Sequence, residues 1–139
     1  MQSKYGKAGI RLPRLHHVAV AIPAGAQDKV RAFYGGVLGL QEKTIPESLI
    51  PNGVVWFVAG DGEMELHFTP DPYLPNPKEG RHFCLEVDDL DIYRRKVEEA
   101  GLEIIEAVAI PNRPRFFTHD PFGNRIELTT IVGDYREPE

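Results

Sequence analysis

One pattern runs through this 139-residue sequence twice. His17 and Glu65 in the first half return as His82 and Glu127 in the second, at nearly the same separation. Each histidine opens an alternating apolar run, Leu15-His16-His17-Val18-Ala19-Val20-Ala21-Ile22 and His82-Phe83-Cys84-Leu85-Glu86-Val87. Each glutamate sits inside another, Met64-Glu65-Leu66-His67-Phe68 and Arg125-Ile126-Glu127-Leu128-Thr129. A repeat of this size is one supersecondary unit that cannot bury its apolar face alone, so two copies are expected to share a core. Two imidazoles and two carboxylates delivered by such strands would suit one divalent metal.

Periodicity gives each half the order β-α-β-β-β. In the first half, a strand over 15–22 is broken by Pro23-Ala24-Gly25 and followed by a helix from about Gln27 to Val37. Val30, Phe33, Tyr34 and Val37 line one face of that helix. Strands are expected at 41–44, 54–58 and 64–68, the last two joined by Gly60-Asp61-Gly62 as a hairpin turn. Pro70, Pro72, Pro75 and Pro77 make the following stretch a stiff connector rather than a packed element. In the second half, a strand over 82–87 leads to a helix capped by Asp88 or Asp89 and ended by Gly101. Strands follow at 102–107, 115–118 and 125–131, with Asp120-Pro121-Phe122-Gly123-Asn124 as the last turn. The chain thus divides into a tail over 1–13, modules over 14–70 and 81–132, and a connector over 71–80.

Alternation also assigns faces. Val18, Val20 and Ile22 should pack under the helices, leaving His17, Ala19 and Ala21 opposite. Phe83, Leu85 and Val87 take the helix face in the second half, leaving His82, Cys84 and Glu86 opposite. Glu65 with His67, and Glu127 with Thr129, fall on that same open face. The expected fold is α+β, with curved mixed sheets enclosing a lined metal and substrate cavity.

Composition excludes several classes. A net charge of −5 gives no reason to expect nucleic acid or an anionic membrane as partner. No apolar run is long enough to span a bilayer, and residues 1–9 lack an apolar signal core, so a cytoplasmic protein is expected. The single cysteine, Cys84, rules out an intrachain disulfide and a Cys-based zinc cluster.

The duplicated units, the runs Leu15-His16-His17-Val18-Ala19-Val20, Ala32-Phe33-Tyr34 with Leu38-Gly39-Leu40, Val87-Asp88-Asp89-Leu90-Asp91, and the ending Asp120-Pro121-Phe122-Gly123-Asn124-Arg125-Ile126-Glu127 resemble the vicinal oxygen chelate superfamily. That group spans glyoxalase I, bleomycin-resistance proteins, fosfomycin thiol transferases, methylmalonyl-CoA epimerase and extradiol dioxygenases. The resemblance covers roughly residues 14–132. It implies His17, His82 and Glu127 as common ligands of one divalent ion (Zn, Ni, Co, Mn or Fe), with Glu65 in the fourth position of glyoxalase-like members. It implies Glu65 or Glu127 as the general base on a small-molecule substrate, and a homodimer. Ala21 stands where glyoxalase I enzymes place an arginine for the glutathione carboxylate, and Ile110-Pro111-Asn112-Arg113-Pro114 replaces their Lys- and Gly-bearing loop. A glutathione hemithioacetal is therefore not the expected substrate.

Other residues carry plainer expectations. His67 shares a face with Glu65 and would substitute for it or support a ligand. Arg115 and Phe117 share a parity beside Glu127, so Arg115 either meets an anionic substrate group or closes a rim salt bridge, with the ring as apolar wall. One of Trp56 and Phe57 should be core and the other cavity wall. Cys84 reads as a wall residue, His16 as structural and His119 as part of the turn. The functional expectation is a glyoxalase-like lyase or isomerase acting on a small oxygenated metabolite. The alternatives are an Fe(II) extradiol-type dioxygenase and a metal-free binder of a drug or metabolite.

Overall fold

The computed structural model describes residues 12–137, so most of the expected tail over 1–13 lies outside the described residues. The first module consists of β1 (His17–Ile22), α1 (Gln27–Val30) running into a π-helix (Arg31–Val37), β2 (Gln41–Lys43), a 3₁₀ helix (Glu47–Asn52), β3 (Val55–Ala59) and β4 (Met64–Pro70). The second consists of β5 (His82–Glu86), α2 (Leu90–Glu99), β6 (Ile105–Glu106), β7 (Arg115–His119) and β8 (Arg125–Thr129). Each module makes one mixed four-stranded sheet, in the orders β1-β4-β3-β2 and β5-β8-β7-β6. The repeat seen in sequence is thus a repeat in topology, within an α+β fold. The two sheets are separate and open rather than closed around a cavity.

Sheet pairing explains why the histidines and glutamates recur together. β1 runs parallel to β4 with His17 opposite Glu65, and β5 runs parallel to β8 with Cys84 opposite Glu127 and His82 opposite Arg125. Antiparallel β3 and β4 pair around the Gly60–Gly62 hairpin, whose two glycines take positive φ of 67° and 92°. Alternation then buries the helix-side residues: Val20, Ile22, Leu66, Phe68, Ile126 and Leu128 are all buried. They join Val30, Phe33 and Tyr34 of the first helix and Leu90 and Val97 of α2 in one cluster. The helix-covered faces of both modules therefore share a single core, and the opposite faces stay open.

The first helix departs from the regular helix expected over 27–37. From Arg31 it widens, and the Leu38 N–H donates to the Phe33 carbonyl, five residues back. Gly35 and Gly36 weaken the α-helix here. A Cβ at Gly35 would lie 3.4 Å from the Phe57 ring, so the helix approaches β3 closely. Widening turns Leu38 into the core in place of Val37, which is only partly buried. Helix α2 follows expectation: the Asp89 carboxylate caps it by accepting from the Asp91 N–H at 3.1 Å.

The turn Asp120–Asn124 clasps the modules together. The Asp120 carboxylate, 3% exposed, accepts the Tyr34 hydroxyl at 2.6 Å, the Phe122 and Asn124 backbone N–H groups at 2.9 Å, and the Asn124 side-chain amide at 2.8 Å. The same amide donates to the Ala21 carbonyl of β1 at 2.9 Å. Burial above all, with the adjoining carboxylate, pushes the Tyr34 phenol well above the usual tyrosine range. The proline-rich connector forms no helix or strand and is mostly exposed, but it is tethered to the second module. His119 bonds the Pro77 carbonyl at 2.9 Å, and a Cβ on Gly123 (φ 94°) would lie 3.2 Å from the Pro77 ring.

Candidate metal and substrate site

The open face of the first module carries a compact polar cluster. Glu65 is 6% exposed, yet both its oxygens are used: Lys43 Nζ donates at 2.5 Å and His67 Nε2 lies 2.8 Å away. The His67 hydrogen bond, then that of Lys43, hold the Glu65 carboxyl down to about 2. Desolvation lowers the His67 pKa, so a neutral His67 donating its Nε2–H to an ionised Glu65 is the consistent assignment. The His67 ring is sandwiched between Trp56, at 3.9 Å, and His17, at 4.0 Å. Trp56 is the open-face residue of its pair and Phe57 is core, at 1% exposure. Two roles differ from expectation. His16 is not structural packing: it precedes β1, is exposed, and places Nδ1 3.0 Å from His17 Nδ1. Lys43 was given no role by the sequence, because β2 is too short to show alternation.

The second module repeats the theme with different chemistry. His82 Nε2 lies 3.0 Å from Glu127 Oε1, and Arg115 Nη1 approaches Glu127 Oε2 at 3.4 Å. The Arg115 guanidinium also donates to the Val108 carbonyl, so it is tied down at the rim as well as meeting Glu127. Phe117 is buried under Arg125, whose guanidinium lies 4.1 Å from the ring centroid, and meets the edge of His82 at 4.9 Å. Desolvation, with Glu127 nearby, raises the Cys84 thiol to about 11, which suits a wall residue and not a nucleophile.

The chemistry of the donors fits a divalent ion. His82 Nδ1 lies 2.7 Å from the Gly80 carbonyl. Donation to that carbonyl leaves the Nε2 lone pair directed at a carboxylate oxygen, which is repulsive without a proton or a cation beside them. A backbone acceptor on the far ring nitrogen is also how metal-bound histidines are oriented. His17 and Glu65 are register partners on adjacent strands and share a face. Within one chain, however, the expected convergence of His17, His82 and Glu127 is not seen. Among the described residues no three His, Cys, Asp or Glu side chains are grouped to hold a metal. The structure presents two His–Glu pairs on two open faces.

The sequence profile of the Glyoxalase/Bleomycin resistance protein/Dioxygenase superfamily matches residues 14–128. The chain belongs to this superfamily. A solved glyoxalase-family protein from Bacillus anthracis is 34% identical, covers 88% of this chain and 98% of its own, and superposes with a TM-score of 0.77. A glyoxalase/dioxygenase from Nostoc punctiforme is 25% identical, covers 92% and 100%, and has a TM-score of 0.69. A fosfomycin resistance protein from Listeria monocytogenes shares the fold, with a TM-score of 0.71 over 91% and 100% of the chains at 14% identity. No curated protein sequence matches the chain significantly. Glyoxalase-superfamily membership fixes the fold and leaves the reaction to the site. Among the described residues no helix is long and apolar enough to cross a membrane.

Proposed function

We propose that this glyoxalase-superfamily protein is a metal-dependent lyase or isomerase acting on a small oxygenated metabolite, and that its site is completed in a homodimer. The observation that supports this reading is the pair of half-sites: each open face carries a histidine–glutamate pair, His17 with Glu65 and His82 with Glu127, and the helix faces are already spent on the shared core. His17 and Glu65 of one protomer with His82 and Glu127 of its partner make an N₂O₂ donor set suited to Zn, Ni, Co, Mn or Fe(II). When bound, such an ion supplies Lewis acidity toward enolate or alkoxide charge.

The two glutamates take different roles. With a carboxyl at about 2 and both oxygens engaged, Glu65 is too weak a base for neutral pH and serves as a charged ligand. Glu127 is held at longer distances, by His82 at 3.0 Å and Arg115 at 3.4 Å, and is assigned the proton transfer. Trp56, His67 and Phe117 form the ring-lined walls that orient the substrate.

Mixing His17→Ala with His82→Ala protein tests both parts of the reading. In a shared site, the mixed dimer regains one intact set of ligands, so metal content returns to about one ion per two chains while each variant alone binds none. Absence of recovery in a verified mixed dimer overturns the trans arrangement. Oxygen uptake with catechols by iron-loaded protein overturns the reaction class in favour of the extradiol alternative. Wild-type apoprotein that takes up no ion favours the metal-free binder.

A further inference from the structure

A cavity of about 550 Å³ opens between the two modules, bounded by β1, the start of β5, the β7–β8 turn and the proline-rich connector. β1 and β5 are both edge strands, so their backbone donors on the cavity side lie outside any ladder. Ala19 and Ala21 keep this wall low, while Tyr73 and Leu74 stand exposed at the connector rim. The connector is held in place by the His119–Pro77 bond and the close packing of Gly123.

The charge in this cavity is lopsided. Arg81 is ion-paired with Glu79. Arg125 also lines the cavity, and it makes no ion pair or side-chain hydrogen bond among the described residues. Its guanidinium sits over the Phe117 ring, 4.1 Å from the centroid, a contact that holds the head group in place while leaving its N–H donors unspent. Such a fork matches the two oxygens of a carboxylate or phosphate. Asn76 uses its oxygen on the Lys78 N–H and keeps its amide donors.

We infer that this cavity is an anion-anchoring subsite, with Arg125 the residue that grips a carboxylate or phosphate on a small organic substrate. This deepens the proposed function by naming the substrate class. Arg125 and Glu127 point to the same face of β8 two residues apart, a separation of about 7 Å along a strand. The substrate's reacting oxygens therefore lie within a few bonds of its acidic group, and its apolar body rests against Tyr73, Leu74 and Phe83. Ala21 on β1 offers this cleft no polar side chain, and Arg125 provides one from its other side.

Titration calorimetry of the metal-free protein with sodium malonate and with inorganic phosphate, each against sodium chloride at equal ionic strength, tests the assignment. Binding of at least one anion is expected, with malonate alone indicating a carboxylate substrate and phosphate alone a phosphorylated one. Arg125→Gln should weaken that binding at least tenfold, Arg125→Lys should give an intermediate loss, and Arg95→Gln on the exposed face of α2 should change nothing. Undiminished binding by both Arg125 variants, equal loss in Arg95→Gln, or no binding of either anion by wild type overturns it. If Arg125→Gln fails to fold, Arg125→Lys carries the comparison. Uptake of added Zn, Ni, Co, Mn or Fe(II) by the same metal-free protein, measured in a separate titration, separates the two readings: metal uptake without anion binding defeats the subsite alone, and anion binding without metal uptake defeats the proposed enzyme.

Discussion

Replacing Tyr34 with phenylalanine tests the clasp that holds the modules together. The hydroxyl is fully buried and donates at 2.6 Å to Asp120. A hydrogen bond to a charged acceptor contributes roughly 1.5–3 kcal/mol. The lower half of that range applies, because Asp120 keeps three donors, the Phe122 and Asn124 N–H groups and the Asn124 amide. A loss of about 2 kcal/mol is therefore expected, or about 6 °C in melting temperature at roughly 3 °C per kcal/mol for a chain of this size. Asp120→Ala strands the buried hydroxyl and the turn donors together and should cost at least about 3 kcal/mol. Urea unfolding at pH 7, read as the midpoint at constant slope, measures each variant and the double mutant. The double mutant should be far from additive, since both changes remove one interaction. A Tyr34→Phe loss below about 0.5 kcal/mol, or additivity within that margin, would refute the clasp. The sign with pH follows from the raised phenol: its stabilisation is complete below the usual tyrosine value of 10.0 and is lost as pH climbs toward the folded value. Wild type should weaken in that alkaline window more steeply than Tyr34→Phe.

Other outcomes follow from the site. Glu127→Gln should lower turnover of an identified substrate by at least about 10²-fold with an unchanged unfolding midpoint, measured side by side with Glu65→Gln, which should chiefly reduce metal content. A divalent ion at about 100 times its dissociation constant should stabilise verified apoprotein by about 2.7 kcal/mol, and His82→Ala should abolish the shift seen by thermal melting. Iodoacetamide labelling of Cys84, followed by mass spectrometry, should be slow at neutral pH and rise as pH approaches about 11. Gly123→Ala, strained at φ 94° and crowded by Pro77, should expose the connector to limited proteolysis between residues 73 and 81.

Much of this molecule was legible in one dimension. Period-two alternation placed His17, Glu65, His82 and Glu127 on open faces because a pleated strand allows nothing else, and the glycine and proline punctuation marked nearly every turn. The Asp120–Asn124 motif was visible as a turn, but its grip on Tyr34 and Ala21 was not, since partners 86 and 103 residues away leave no local signature. The π-helix arose where Gly35 and Gly36 weaken the α-helix and Phe33, Tyr34 and Leu38 are all buried, a combination of low propensity and packing that helical periodicity alone does not show. Lys43 on Glu65 and Arg125 over Phe117 are products of strand order, which decides who neighbours whom across a sheet. Above all, the sequence determined that the chain holds two His–Glu pairs, and only the tertiary structure decided that they stay apart within it. Face assignment is a property of each strand, whereas the angle between two sheets is set by the core they share.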